Sequence, residues 1–152
     1  MSNVKILVAC HKDTALLKSN VLLPIQVGAA LGKRKLDNML MDNTGENISE
    51  KNSMYCELTA QYWAWKNLNA DYYGFFHYRR YLNFSDRRYR EDRWGNVREN
   101  ILSEEMKEKY GLSDGKIEAL VSSYDLVISE EKNVASMPGK ASNVYEQYQY
   151  GD

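Results

Sequence analysis

The chain has 152 residues, a formal charge of −1, 43% hydrophobic and 27% charged residues, values ordinary for a soluble globular domain. Near-zero charge excludes whole-molecule attraction to nucleic acid or an anionic membrane. The apolar run Val4 to Cys10 is too short for a membrane span or a secretory signal core. Two cysteines, Cys10 and Cys56, without secretory context read as small buried thiols in a reducing compartment, so a cytoplasmic protein is expected.

In chain order, Val4 to Cys10 reads as a buried strand. It delivers His11, Lys12 and Asp13 at its carboxyl end, where open α/β sheets place their ligands. Thr14 to Lys18 reads as a short helix, and Val21 to Val27 as an edge strand or extended segment because Pro24 interrupts it. Lys33, Arg34 and Lys35 form a solvated basic turn. Asp37 to Gly45 is loop-like and holds Asp42, Asn43 and Thr44, either a plain turn or a clamp for a ribose or base edge.

The stretch from Asn47 to Leu82 organises the chain. Asn47 followed by Glu50 has capping-box spacing. Tyr55, Leu58, Tyr62, Trp65 and Leu68 recur at the three-and-four spacing of one buried helix face. Tyr72 to Phe76 is a short aromatic run that fits a buried strand. It ends abruptly in His77, Tyr78, Arg79, Arg80 and Tyr81.

From His77 to Arg98 there are seven arginines against three acids, Asp86, Glu91 and Asp92, a local charge of about +4. Basic residues interleaved with Tyr and Trp suit single-stranded nucleic acid. No basic face or recognised motif elsewhere supports that partner, so a phosphorylated small molecule is preferred and nucleic acid is not expected. Ser103 to Tyr110 reads as a helix stopped by Gly111, and Lys116 to Ser123 as another, capped by Ser113 or Asp114. Tyr124 to Ile128 reads as a strand, Glu130 to Ala141 as a loop and Val144 to Tyr150 as a helix. The alternation predicts an α/β fold with a mostly parallel sheet flanked by helices. No closing element follows, as expected of a fragment.

Four pieces carry a family likeness: KILVACHK (Lys5 to Lys12), LPIQVGAAL (Leu23 to Leu31), DNTGENISEKNSMYCELTAQYWAWKN (Asp42 to Asn67) and ADYYGFFHYRRYL (Ala70 to Leu82). On these the chain resembles the N-terminal portion of a bacterial family of capsular and exopolysaccharide glycosyltransferases, of the domain-of-unknown-function 4422 type with an HYRRY motif. The resemblance implies a GT-A-like fold. Residues 1–152 would form the N-terminal nucleotide-sugar-binding part of one glycosyltransferase domain, truncated at its C-terminus.

It further implies a hexosyltransferase that moves a sugar from a nucleotide-diphosphate donor, a UDP-sugar, to a glycan or lipid-linked glycan acceptor. The place would be the cytoplasm, compatible with the inner face of the cell membrane through segments beyond this chain. In GT-A enzymes a strand at the position of Ala70 to Phe76 ends in an Asp-x-Asp metal motif; here His77-Tyr78-Arg79 stands in its place. Two carboxylates would bridge a divalent ion to the diphosphate. Arginine neutralises a diphosphate directly through bidentate hydrogen bonds, so a metal-independent site is expected.

The roles follow from the needs of glycosyl transfer. Arg79 and Arg80, with Lys12, stabilise the leaving diphosphate. His11, Asp42 and Asn52 hold the nucleotide, Asn52 within a Ser49-Glu50-Lys51-Asn52 element that matches the family pattern in place. His77 contacts the diphosphate or serves as base, and Glu57 is the alternative base. A lone histidine at a strand end is ordinarily structural, and an arginine pair is ordinarily a surface ion pair. Two histidines at two strand ends, joined to the likeness, favour function for His77, Arg79 and Arg80. A non-catalytic module that binds nucleotide or glycan is the alternative.

Overall fold

A computed structural model describes residues 2–133 together with Asn143, Tyr145, Glu146 and Gln149. The helix expected over Val144 to Tyr150 is therefore described at Tyr145, Glu146 and Gln149 alone, which are helical. The loop from Glu130 to Ala141 lies outside the described residues beyond residue 133.

β1 (Val4–Cys10) is the central strand, with only Lys5 incompletely buried. Apart from Lys5 the run is apolar, as a strand covered on both faces requires. It pairs in parallel with β2 (Leu22–Gln26) and with β4 (Tyr72–His77), and β2 pairs in parallel with the two-residue β3 (Leu40–Met41). The sheet order is β3-β2-β1-β4, so the expected parallel α/β sheet is present.

Pro24 does not make β2 an edge strand. The amide of Val27 donates to Cys10 O, whereas Gln26 O accepts from Asp42 N–H on the other side. Backbone direction alternates, so Pro24 shares the side of Gln26, where β3 begins only opposite Ile25. Its missing N–H has no partner to lose. Thr14 to Lys18 is not helical: Leu17 is buried there, and the Ser19 hydroxyl accepts from the amides of Val21 and Leu22, drawing the chain into β2.

The helix expected from Asn47 onward is broken into three pieces. A 3₁₀ turn (Ser49–Lys51) leads into α1 (Asn52–Tyr55), and after a break α2 (Leu58–Asn67) continues. Asn47 Oδ1 does accept the amide of Ser49, at 3.2 Å. The break is at Cys56, with φ 48° and ψ −127°, a conformation that costs a non-glycine residue roughly 1–3 kcal/mol.

The buried face of α2 is Thr59, Ala60, Trp63 and Ala64, not the aromatic stripe. Ala60, Trp63 and Ala64 pack with Leu7 and Ile25 of the sheet, and the Trp63 indole N–H donates to Thr44 O at 2.9 Å. The two alanines let the helix backbone approach the sheet closely. Leu58 and Trp65, 50% and 69% exposed, lie on the outer side with Tyr62. Aromatic bulk at helical spacing marked the wrong face.

β4 is only half-buried, since Tyr73 and Phe75 face outward. Tyr124 to Ile128 forms no strand, and Tyr124, Leu126 and Ile128 are exposed. Residues 124–127 run beside β4 without joining its ladder, leaving a space of about 130 Å³ lined by Phe75, Phe84, Tyr124 and Leu126 among others. α3 (Glu104–Lys109) is capped by Ser103, whose hydroxyl accepts from Met106 N–H, and stops at Gly111, with φ +65°. α4 (Asp114–Val121) starts two residues earlier than predicted. Its Asp114 accepts from the Ser19 hydroxyl and the Asn20 amide, tying the helix to the β1–β2 connection.

The chain divides into two units, Met1–Ser85 with Leu102–Val127, and Asp86–Ile101 with Ile128–Asp152. The second has neither helix nor strand at residues 86–101 and 128–133. Asp92 organises it, accepting from the amides of Trp94 and Asn96 and from Arg98 Nε. These donors, the Arg98 guanidinium first, pull its carboxyl down to about 2.

The cysteines differ from the expectation that both are buried. Cys10 is buried and its thiol is pushed up to about 11 by that burial, while Cys56 is exposed. A thiol reagent at pH 8 should therefore modify one cysteine in the folded chain and both in denaturant, with Cys56 identified by mass of the labelled peptide. Labelling of Cys10 at a comparable rate would mean that β1 opens readily.

Candidate functional site

A parallel sheet brings the carboxyl ends of all its strands to one side, and the register places Ala9 of β1 opposite His77 of β4. The ladder extends one residue further, as Tyr78 N–H donates to Ala9 O at 3.1 Å. The chain then turns sharply. Arg80 N–H donates to His77 O at 2.8 Å and Arg79 N–H to His77 Nδ1 at 3.2 Å. The outcome is a cluster around the Tyr78 ring. His77 packs on it with ring centroids 4.2 Å apart, and His11 meets it edge-on at 5.2 Å. Lys12 Nζ lies 5.7 Å and Arg79 Cζ 5.1 Å from its centroid, both within reach of a cation–π attraction.

Tyr78 itself is buried, while His11, Lys12, Arg79 and Arg80 are exposed. A buried aromatic plate thus carries an exposed rim of basic groups. Sequence reasoning left Tyr78 without a role. Its position between two singled-out residues was the available signal.

Glu57 reaches the cluster from the α1–α2 junction, with its Oε1 3.8 Å from His77 Nε2. Burial holds the His77 imidazole below its ordinary range; Glu57 raises it, and Arg79, Arg80 and His11 lower it further. Burial, the largest influence, favours the neutral ring. Because Nδ1 accepts the Arg79 amide, its proton sits on Nε2, the nitrogen that faces Glu57.

The structure thus brings together His11, Lys12, His77, Arg79, Arg80 and Glu57. Two expected nucleotide ligands lie elsewhere. Asp42 is fully buried, and its carboxylate accepts from the amides of Gly28 and Ala29 and the hydroxyls of Ser49 and Thr59, at 2.5–2.9 Å. These bonds occupy its lone pairs and leave no face for a ligand, which corrects the nucleotide-holding role. Asn52 is likewise engaged internally, its amide donating to Cys56 O at 2.7 Å and to the Thr59 hydroxyl at 3.0 Å.

The end of β4 holds one imidazole between two guanidinium groups, a poor donor set for a hard cation; His11 and Glu57 stand beside it, and among the described residues no three His, Cys, Asp or Glu side chains converge to hold a metal. In the arginine-rich loop Arg98 pairs with Asp92, Arg88 with Glu130 and Lys132 with Glu91. No helix among the described residues is long and apolar enough to cross a membrane.

Comparison with known proteins bears on the fold and the family. No curated protein matches the chain. A solved structure, the WbbM bifunctional glycosyltransferase in its apo form, is 40% identical with a TM-score of 0.90, covering 99% of this chain and 26% of that one. The present chain thus spans about a quarter of that protein's length and has a glycosyltransferase-like α/β fold. Residues 5–151 match the family model described as "Domain of unknown function (DUF4422)". Together these place the chain in the DUF4422 family, to which it belongs.

Proposed function

We propose that this chain carries the donor site of a hexosyltransferase that moves a sugar from a nucleotide diphosphate, a UDP-sugar, to a glycan or lipid-linked glycan acceptor in capsular or exopolysaccharide synthesis. The observation that carries the reading is the basic rim, Lys12, Arg79 and Arg80 beside His11 and His77, at the carboxyl ends of two adjacent parallel strands. The likeness to a glycosyltransferase supports it.

Charge develops on the leaving diphosphate, and the three cations meet it with hydrogen bonds that strengthen as it forms. His11 borders the nucleotide. Glu57 is the better base of the two candidates: His77 has committed its Nδ1 lone pair to the Arg79 amide and turns Nε2–H toward Glu57. His77 then orients Glu57, which accepts the acceptor hydroxyl's proton. In this reading the three cations do the work that a metal does in enzymes with an Asp-x-Asp motif.

Calorimetric titration of UDP, with manganese and again with chelator, tests the reading. Binding that persists in chelator is expected. Binding only with manganese removes the metal-independent site, and no binding by the folded chain removes the UDP-sugar donor. Binding without transfer by the longer protein would favour the non-catalytic module.

A further inference from the structure

The backbone at Cys56 holds a conformation that L-residues avoid, in the middle of an otherwise helical stretch, and immediately precedes Glu57. Left to itself, the strain would relax by rotating this peptide, and Glu57 would swing with it. Two side chains oppose that. Asn52 Nδ2 donates to the Cys56 carbonyl at 2.7 Å and to Thr59 Oγ1 at 3.0 Å. Thr59 Oγ1 in turn donates to buried Asp42 Oδ2 at 2.6 Å and lies 3.1 Å from the same Cys56 carbonyl. An anchored chain therefore runs from the buried carboxylate through the hydroxyl and the amide to the strained peptide. Gly28 makes room for it, since a Cβ there would lie 2.7 Å from Asn52 Oδ1.

We propose that Asn52 is a positioning residue: braced by the Thr59 hydroxyl, it clamps the Cys56 carbonyl, holds the α1–α2 break in its strained form and so fixes Glu57 opposite His77. The catalytic consequence rests on the function proposed above. The positional claim does not, and its test uses no substrate.

The readout is the titration midpoint of His77, followed by NMR through its imidazole proton and assigned against His11→Gln, since the chain has two histidines. His77 is faced by Glu57 from the helix break, by Arg79 and Arg80 from its own turn and by His11 from the end of β1. Of these, Glu57 alone raises its midpoint. Glu57→Gln should therefore lower the midpoint, and Asn52→Ala should lower it by a comparable amount. Cys56→Gly, which removes the strain, should leave it unchanged. The double variant Asn52→Ala with Cys56→Gly should recover most of the loss, because glycine takes the turn without being held.

An Asn52→Ala midpoint equal to wild type while Glu57→Gln shifts it would overturn the clamp. So would a Glu57→Gln variant that leaves His77 unmoved. Should Asn52→Ala fail to fold, a folded double variant with the wild-type midpoint still supports the clamp, and an unfolded one overturns it by making Asn52 a general support of the fold. Loss of UDP binding in the wild type would remove the proposed function and leave this result standing.

Discussion

Asp42→Ala should lower the unfolding free energy by at least about 3 kcal/mol, because buried donors left without an acceptor cost about 1–3 kcal/mol each. Four donors converge on this carboxylate: the amides of Gly28 and Ala29, and the hydroxyls of Ser49 and Thr59. They come from the turn after β2, the 3₁₀ turn and α2, so one side chain ties three segments to the end of β3. In Asp42→Ala all four donors lose their acceptor in a place water does not reach. Asp42→Asn keeps the shape but turns an NH₂ group toward a donor, and should be nearly as harmful. Against a total stability of about 5–15 kcal/mol for a domain, either loss is severe. Urea denaturation followed by circular dichroism measures it; a loss under about 1 kcal/mol would mean that the connections hold without the carboxylate.

Arg79→Ala should weaken UDP binding roughly 10- to 150-fold, the equivalent of about 1.5–3 kcal/mol for a hydrogen bond to a charged group. Arg79 is exposed and rests on the Tyr78 ring, so its removal should leave folding intact. Arg79→Lys retains the charge without the planar fork and should recover only part of the affinity. Calorimetry on the three proteins, each first checked for folding, decides the matter. Equal affinity in Arg79→Ala would take the diphosphate away from this arginine.

The strand ends were the legible part of the molecule. An unbroken apolar run before His11, and an aromatic run before His77, place polar groups at the sheet's carboxyl edge whatever the details of packing. The helix face was not legible, because α2 is apolar on both sides. Only the sheet decides that Ala60 and Ala64 approach it while Leu58 and Trp65 do not. Asp42 misled for a related reason. A carboxylate in a polar loop resembles a ligand clamp until its neighbours are known, and its neighbours come from three other segments. Tyr124 to Ile128 has the composition of a strand, yet a strand exists only when another accepts its hydrogen bonds. Among the described residues β4 has a strand partner on β1's side alone.

The central strand of this sheet begins at Val4, while the strand that flanks it on one side begins at Tyr72. Asn3 and Asp71, hydrogen-bonded at the start of that pairing, are 68 positions apart. Closing so long a loop must precede any gain from the pairing, which slows folding relative to a chain of local contacts. During synthesis β1 is made well before β4, and its pairing on that side waits until that distant neighbour has been made. The interval between those two events is when the nascent chain is most open to wrong associations, and most in need of a chaperone.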